Sequence, residues 1–361
     1  MPVFTNIITD ITRDQFNTLL AKLHSNEFEG DNIAFGALES DGIPHATFTI
    51  EGESAGHDDY YALFDAFYDC EKIKHVGLRH IHAQLEGSSY DKWIKMIRER
   101  LITVDIANYA FSPDEEIEAL LYNENLRHLN LCGVFNMPSF FSEISHLLMT
   151  NRLISLNLSY CWPFAHKSQN NIDFITLLDM LKYIKSLESL DLSGFDRDLV
   201  WDHLASQPKD SPLKRYFSLL QDSLSKSTSL KNLILNDLRH CKPGMLAELI
   251  SENKSLTHFE YNQEVDGRER YAIETRLKIN QLSQEMGAKQ LLFNKIHENL
   301  TTENSRGEQV PNRQNLFLYD QNLTKMIIQY ADLPSTPVGE MENRLVSAEA
   351  KLPNLMKSRK S

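Results

Sequence analysis

The chain has 361 residues, 42% of them hydrophobic and 24% charged, a balance that supplies a sizeable core and excludes wholesale disorder. Its formal net charge of −13 argues against non-specific binding to nucleic acid, which needs clustered lysine and arginine on the phosphates, and suits a basic partner. Cys70, Cys132, Cys161 and Cys241 are scattered without a CxxC pair, so neither a zinc framework nor a disulfide scaffold is indicated, and a reducing, cytosolic setting fits best.

The N-terminal stretch MPVFTNIITDITRDQF has no basic segment followed by a long apolar run, so no leader is expected. No segment reaches the ~18 apolar residues that span a bilayer. TRDQFNTLLAKLHS follows, with Thr12 and Gln15 placed as a capping box and Phe16, Leu19, Leu20 and Leu23 on one helical face. HATFTIEG, from His45, alternates like a strand and is read as a degenerate first repeat. Residues 1–69 are therefore assigned to an N-terminal cap.

From Ile73 a template LxxLxL recurs: IKHVGL at Ile73, LITVDI at Leu101, LRHLNL at Leu126, LISLNL at Leu153, LESLDL at Leu187, LKNLIL at Leu230 and LTHFEY at Leu256. The starts are separated by 28, 25, 27, 34, 43 and 26 residues, a spacing that signals a solenoid. Alternation sends template residues one, four and six to the core and three, five and seven to the opposite side. Leu129, Leu156, Leu190 and Leu233, all fourth residues, are expected to form one buried row. The opposite side is expected to be exposed and to bind a partner through His75, Arg79, Asp105, Arg127, His128, Asn130, Asn157, Glu188 and Asp191. Asp105, Asn130, Asn157 and Asp191 would make a polar row across it.

Between the strands the period becomes helical. SPDEEIEALLYNEN starts with Ser112, Pro113 and Glu115 as a capping box, and SFFSEISHLLMTN, DFITLLDMLKYIKS and RYFSLLQDSLSKS are further predicted helices. The two overlong intervals contain Trp162, Phe164 and Trp201, which either anchor a partner or close each insertion against its own helix. After Asn262, RERYAIETRLKINQLSQEM and AKQLLFNKIHENL read as two helices interrupted near Gly287. NLFLYDQNLTKMIIQYA and the basic end KLPNLMKSRKS complete residues 263–361, a helical C-terminal cap or extension.

Over residues 70–262 the strand-then-helix repeat resembles the leucine-rich-repeat family, and its period is similar to that of the ribonuclease-inhibitor-like class. The resemblance implies an α/β solenoid, a horseshoe with parallel strands on the concave face, helices on the convex face and helical caps at both ends. The family prefers Asn or Cys at the ninth template position, where only Cys161 complies; Ile81, Tyr109, Val134, Phe195, Leu238 and Glu264 stand there in the other copies. Apolar packing is expected to replace buried hydrogen bonding at that position. The irregular repeats and a tail carrying Glu340, Glu342 and Glu349 also resemble leucine-rich-repeat effectors that intracellular bacteria export by type IV secretion into the host cytosol.

Catalytic and metal signals are weak. His80 and His82 would share a strand face but have no evident third ligand, and Cys161 near His166 or Cys241 beside His240 is poor evidence for a thiolate–imidazole pair. No Walker, GxSxG, HExxH or GxGxxG motif occurs, and none of the cysteines begins the CxD motif of bacterial leucine-rich-repeat ubiquitin ligases. Two readings follow. In the first the chain is a noncatalytic module, without cofactor or metal, that grips another protein on the concave face; in the second the C-terminal helices hold an enzyme or enzyme activator and the repeats select its substrate.

Overall fold

The computed structural model describes residues 4–38, 44–46, 48–79, 87–107, 113–134, 140–161, 168–195, 212–238, 241, 243–303 and 309–311. The chain divides into two compact units, Met1–Val265 and Asp266–Ser361.

The first unit is an α/β repeat-like fold built on one nine-stranded sheet. Its strands are β1 (Ile7–Ile8), β2 (Asn32–Phe35), β3 (His75–Leu78), β4 (Thr103–Asp105), β5 (His128–Asn130), β6 (Ser155–Asn157), β7 (Ser189–Asp191), β8 (Asn232–Ile234) and β9 (His258–Glu260). They pair in chain order and every pair is parallel. Helices α1 (Arg13–His24), α2 (His57–Asp69), α3 (Ser88–Glu99), α4 (Pro113–Tyr122), α5 (Phe140–Met149), α6 (Ser168–Met180), α7 (Pro212–Lys226) and α8 (Met245–Ile250) alternate with the strands, and a 3-10 turn, Leu181–Tyr183, extends α6.

The register joins Leu129 to Leu156, Leu156 to Leu190 and Leu190 to Leu233, and all four leucines are buried. Ile33, Val76, Val104 and Phe259 continue this row at its two ends. The expected capping box at α1 is present, with Thr12 Oγ accepting from the Gln15 backbone N–H and the Gln15 side chain accepting from Thr12 N–H. Behind the strands Phe174 packs edge-on to Phe141 and Tyr216, and Phe195 lies between Phe174 and Phe217. Val134, Phe195 and Leu238, ninth template residues, are buried, so apolar packing does fill that position in these repeats, whereas Cys161 keeps a buried hydrogen bond to Leu131 O and Glu264 is exposed.

Two expectations about elements are corrected. The strands of the large sheet that precede Ile73 are Ile7–Ile8 and Asn32–Phe35, whereas Thr49–Ile50 of HATFTIEG pairs with Asp10–Ile11 and Glu53–Ser54 in a separate small sheet. Asn32–Phe35 has no leucine and little alternation, because Ile33, Ala34 and Phe35 are all buried. In the second unit α9 (Gly267–Leu300) runs unbroken through Gly287, and an antiparallel pair, Thr301–Glu303 with Gln309–Pro311, follows. One glycine inside a long helix costs about 1 kcal/mol relative to alanine, too little to break it. Asp266 starts α9 by accepting from the Arg268 and Glu269 N–H groups.

Two devices join the repeats. The residue just before a template copy uses its side chain to satisfy a carbonyl at the end of the preceding repeat's helix, a group that has no partner within its own helix. Lys72 reaches Asn26 O, Arg100 reaches Phe67 O and Tyr68 O, Asn125 reaches Glu99 O, Arg152 reaches Leu121 O, Ser229 reaches Ile184 O and Ser255 reaches Ser227 O. The hydroxyl of Ser186, at the same position, is buried without a partner. Ser255→Ala should therefore lower stability by about 1 kcal/mol and Ser186→Ala should leave it unchanged or raise it, as read by urea unfolding.

The second device is buried asparagine three residues before the first leucine. Asn123 donates to Ile97 O and Leu101 O while its Oδ1 accepts from the Asn125 and Leu126 N–H groups. Asn253 repeats the pattern, donating to Leu224 O and accepting from the Ser255 and Leu256 N–H groups.

Candidate functional site: the polar face of the sheet

Third, fifth and seventh template residues share the sheet face opposite the leucine row. Adjacent strands lie about 4.8 Å apart, so these side chains meet across strands before they meet solvent. The fifth-position row runs Gly77, Asp105, Asn130, Asn157, Asp191, Ile234, Glu260 in paired register.

Its first half is closed. Arg79 donates from Nε and Nη2 to Asp105 Oδ2 at 3.0 and 2.7 Å, and from Nη1 to Gly36 O at 3.3 Å. Asn130 donates to Asp105 Oδ1 at 3.0 Å, and the Phe4 ring lies 5.4 Å from the Arg79 guanidinium carbon. The Arg79 and Asp105 side chains are only 5% and 3% exposed. The expectation that Arg79, Asp105 and Asn130 are displayed to solvent is thus corrected: the charges and the amide satisfy one another inside the protein. Thr103, Ser155, Ser159 and Ser193, also assigned to the exposed side, are buried as well.

The third-position row has a repeated pair. His75 Nδ1 lies 2.7 Å from Thr103 Oγ1, and His128 Nδ1 lies 2.8 Å from Ser155 Oγ. His75 Nε2 also faces Asp31 at 3.7 Å. This imitates an acid–imidazole–hydroxyl array, yet Thr103 and Ser155 are buried, so neither hydroxyl is presented to a substrate. Burial, the largest cause, and the nearby cations hold the His128 imidazole below its ordinary value.

Fifth-position polar residues also shape the turn that ends each strand. Asn130, Asn157 and Asp191 each accept from the N–H two residues on, at Cys132, Ser159 and Ser193. The eighth residues Gly133, Tyr160, Gly194 and Asp237 then take positive φ of 69, 56, 69 and 56°. A Cβ on Gly194 would stand 2.6 Å from the Tyr160 ring, so glycine admits both the backbone conformation and the ring. Tyr160 passes over Gly194 and donates its hydroxyl to Asp237, linking repeats that are not neighbours.

The second half of the face is progressively open. Asn157, Asp191 and Asn232 are half-buried and His258 and Glu260 exposed. Asp191 accepts from the Ser193 N–H and hydroxyl, Ser193 Oγ accepts from Asn236 N–H, and Asn236 Nδ2 donates to Glu260 at 2.9 Å. Of the second-position residues, Glu188 pairs with Lys231 at 2.8 Å, and Arg127 donates to Glu124 O and Leu126 O. Trp162 and Trp201, and with them His80, His82, His166 and His240, lie outside the described residues.

Burial pushes the Asp191 carboxyl up to about 6 from 3.8, with the Glu260 charge adding and the Ser193 hydrogen bonds opposing. The folded form therefore binds the proton more tightly than the unfolded chain. That stabilisation is complete below about pH 4 and is lost as pH rises through about 6. Asp191→Asn should leave stability at pH 4 unchanged and raise it at pH 7 by up to roughly 3 kcal/mol, in denaturant titrations at the two pH values.

Cys70, Cys132 and Cys161 are buried and Cys241 is partly exposed. Burial, foremost, raises the Cys161 thiol well above its ordinary value, and its Sγ donates to Leu131 O. In the native protein one thiol, Cys241, should react rapidly with a water-soluble disulfide reagent, and all four only after unfolding. Among the described residues no group of three or more His, Cys, Asp or Glu could hold a metal ion, and no helix is long and apolar enough to cross a membrane.

No protein-family model matches the chain. A solved structure, leiomodin-1 actin-binding site 2, is similar at 15% identity and a TM-score of 0.31, over 58% of this chain and 99% of that chain.

Proposed function

We propose that this chain is a noncatalytic protein-binding module of the leucine-rich-repeat type, ribonuclease-inhibitor-like class, and that it grips its partner on the second half of the polar face. In this reading the nine strands line the concave side of a horseshoe, the helices its convex side, and the terminal segments cap it. The observation that carries the proposal is the change in exposure along one row of polar residues. Asp105 and Asn130 are closed by their own partners, whereas Glu260 in the same row is exposed even though it accepts from Asn236, and in the neighbouring third-position row His258 is exposed and Asn232 half-buried. Lys231, Glu188, His258 and Glu260 give that half both signs of charge, which favours one orientation of a partner over others. Partner choice is thus assigned to β7–β9 and the sealed half to holding the sheet together.

The test is affinity capture by the full chain, followed by mass spectrometry. Glu260→Lys with Asn232→Arg should abolish capture of a protein that the unmodified chain retains, with melting little changed because Glu260 is exposed and Asn232 only half-buried. Glu118→Lys, at an exposed position of α4, should leave capture intact. Loss of capture with Glu118→Lys and retention with the face variant would overturn the assignment.

A second reading, an active part in residues 263–361, is favoured by the separation of Asp266–Ser361 as its own unit. It requires that a chain with Glu260→Lys and Asn232→Arg keep its activity on a small or unstructured substrate. From the resemblance to exported effectors we also propose that the protein works in a host cytosol; a reporter fused to the chain that fails to enter host cells from a type IV-competent bacterium would exclude that proposal.

A further inference from the structure

The two aspartates of the fifth-position row are treated differently by the chain. Asp105 Oδ2 is closed by the Arg79 guanidinium, and Arg79 belongs to the neighbouring copy, two residues beyond Gly77, the register partner of Asp105. Ser159 stands at the corresponding place beside Asp191, two residues beyond its register partner Asn157, and no bond joins its short side chain to Asp191. Asp191 Oδ1 accepts from the Ser193 N–H and hydroxyl at 2.9 and 2.7 Å, which leaves Oδ2 of this half-buried side chain without a donor.

A second carboxylate stands close by. Asp191, Ile234 and Glu260 follow one another in paired register, so the half-buried Ile234 lies between two acids on strands about 4.8 Å apart. Glu260 is held through Oε1 by Asn236 Nδ2 at 2.9 Å, while its Oε2 lies 3.9 Å from His258 Nε2. Asn236 Oδ1 is enclosed without a donor, so acceptors outnumber donors here. No lysine or arginine pairs with Asp191 or Glu260 among the described residues, and Lys231 is held by Glu188 at 2.8 Å. The nine-residue copies that start at Leu187, Leu230 and Leu256 carry Glu188, Asp191, Asp237, Glu260 and Glu264 against Lys231 and His258. Burial, foremost, and the Glu260 charge raise the Asp191 carboxyl to about 6, as expected for a carboxylate that lacks a counter-charge.

We propose that the part Arg79 plays at Asp105 is played at Asp191 by an arginine of the partner protein, its aliphatic stem on Ile234 and its guanidinium on the Asp191 and Glu260 carboxylates. This rests on the reading that the partner is gripped on the second half of the polar face. An arginine stem covers apolar surface while its head stays with polar groups, which suits an isoleucine flanked by acids. The planar fork donates in several directions at once and serves two offset carboxylates, whereas lysine brings one compact charge. The net charge of −13 favours the approach of such a group.

The probe is N-acetyl-arginine methylamide, titrated into the full chain with labelled isoleucine methyl groups and followed by NMR. The neutral isostere N-acetyl-citrulline methylamide and N-acetyl-lysine methylamide are run beside it. The Ile234 methyl signal, assigned with Ile234→Val, should shift saturably with the arginine compound and much less with the other two. Asp191→Asn and Glu260→Gln should each weaken the arginine compound by roughly tenfold, the worth of a hydrogen bond to a charged group. Binding should also fall by up to roughly tenfold between about pH 7.5 and 5, as Asp191 takes up its proton. His258→Gln, which removes the titratable group beside Glu260, should keep that fall, and Asp191→Asn should abolish it. An unmoved Ile234 methyl, an equal response to the citrulline or lysine compound, or a response that survives Asp191→Asn overturns the proposal. The two readings fail separately. If capture is lost with Glu260→Lys and Asn232→Arg while Ile234 ignores the arginine compound, the arginine falls and the face stands; if capture survives those substitutions, both fall.

Discussion

Replacement of Asp105 by alanine is expected to destabilise the protein by about 3–5 kcal/mol, the range for removing one partner of a buried ion pair. The loss exceeds the worth of the pair itself because Arg79 remains. Its guanidinium would keep only the 3.3 Å contact to Gly36 O and the Phe4 ring, and at 5% exposure it is largely shut off from the solvent that could replace the carboxylate. Asn130 would also lose the acceptor of its amide, although its Oδ1 would still hold Cys132 N–H. Arg79→Met combined with Asp105→Leu removes both charges at similar volume and should recover most of the loss. Urea unfolding of the two variants checks this. A near-native midpoint for Asp105→Ala would mean that water reaches Arg79 and that the first half of the face is open.

Leu156→Asp should have the largest effect of any single change, more than 5 kcal/mol, enough to unfold a typical domain. Leu156 is 1% exposed and its register partners Leu129 and Leu190 are equally buried, so an introduced carboxylate has no donor among its neighbours. Truncation alone, Leu156→Ala, should cost about 2–5 kcal/mol through the cavity it leaves. The excess for aspartate measures the buried charge and should shrink at acidic pH, where the carboxyl is neutral. Because each repeat is stabilised by its neighbours, the strands on both sides should lose amide-exchange protection together. Wild-type melting of Leu156→Asp would remove the basis for stacking these repeats in one sheet.

Much of this fold is legible in the residues themselves. LRHLNL, LISLNL and LESLDL state both the strand and its buried side, because alternation and leucine spacing are local properties of the chain. Asn32–Phe35 is not legible in the same way because a strand buried on both faces loses its alternation, and the continuity of α9 is hidden because Gly287 looks like a break yet costs a long helix only about 1 kcal/mol. The donors Lys72, Arg100, Asn125, Arg152, Ser229 and Ser255 were visible as a recurring polar residue before each leucine run. Their role was not, since each acceptor lies in another repeat.

The polar face shows the same division. Sequence alone determined that Arg79, Asp105, Asn130, Asn157 and Asp191 leave the leucine core on the opposite side of their strands, because the pleat fixes direction residue by residue. Tertiary structure alone decided which of them meet water. Asp105 finds Arg79 26 residues earlier and Asn130 25 residues later, and these contacts exist only once parallel strands are stacked in register. Glu260 reaches Asn236 and still faces solvent. A side chain's direction is set by its own backbone, whereas its exposure is set by what the neighbouring strands bring beside it.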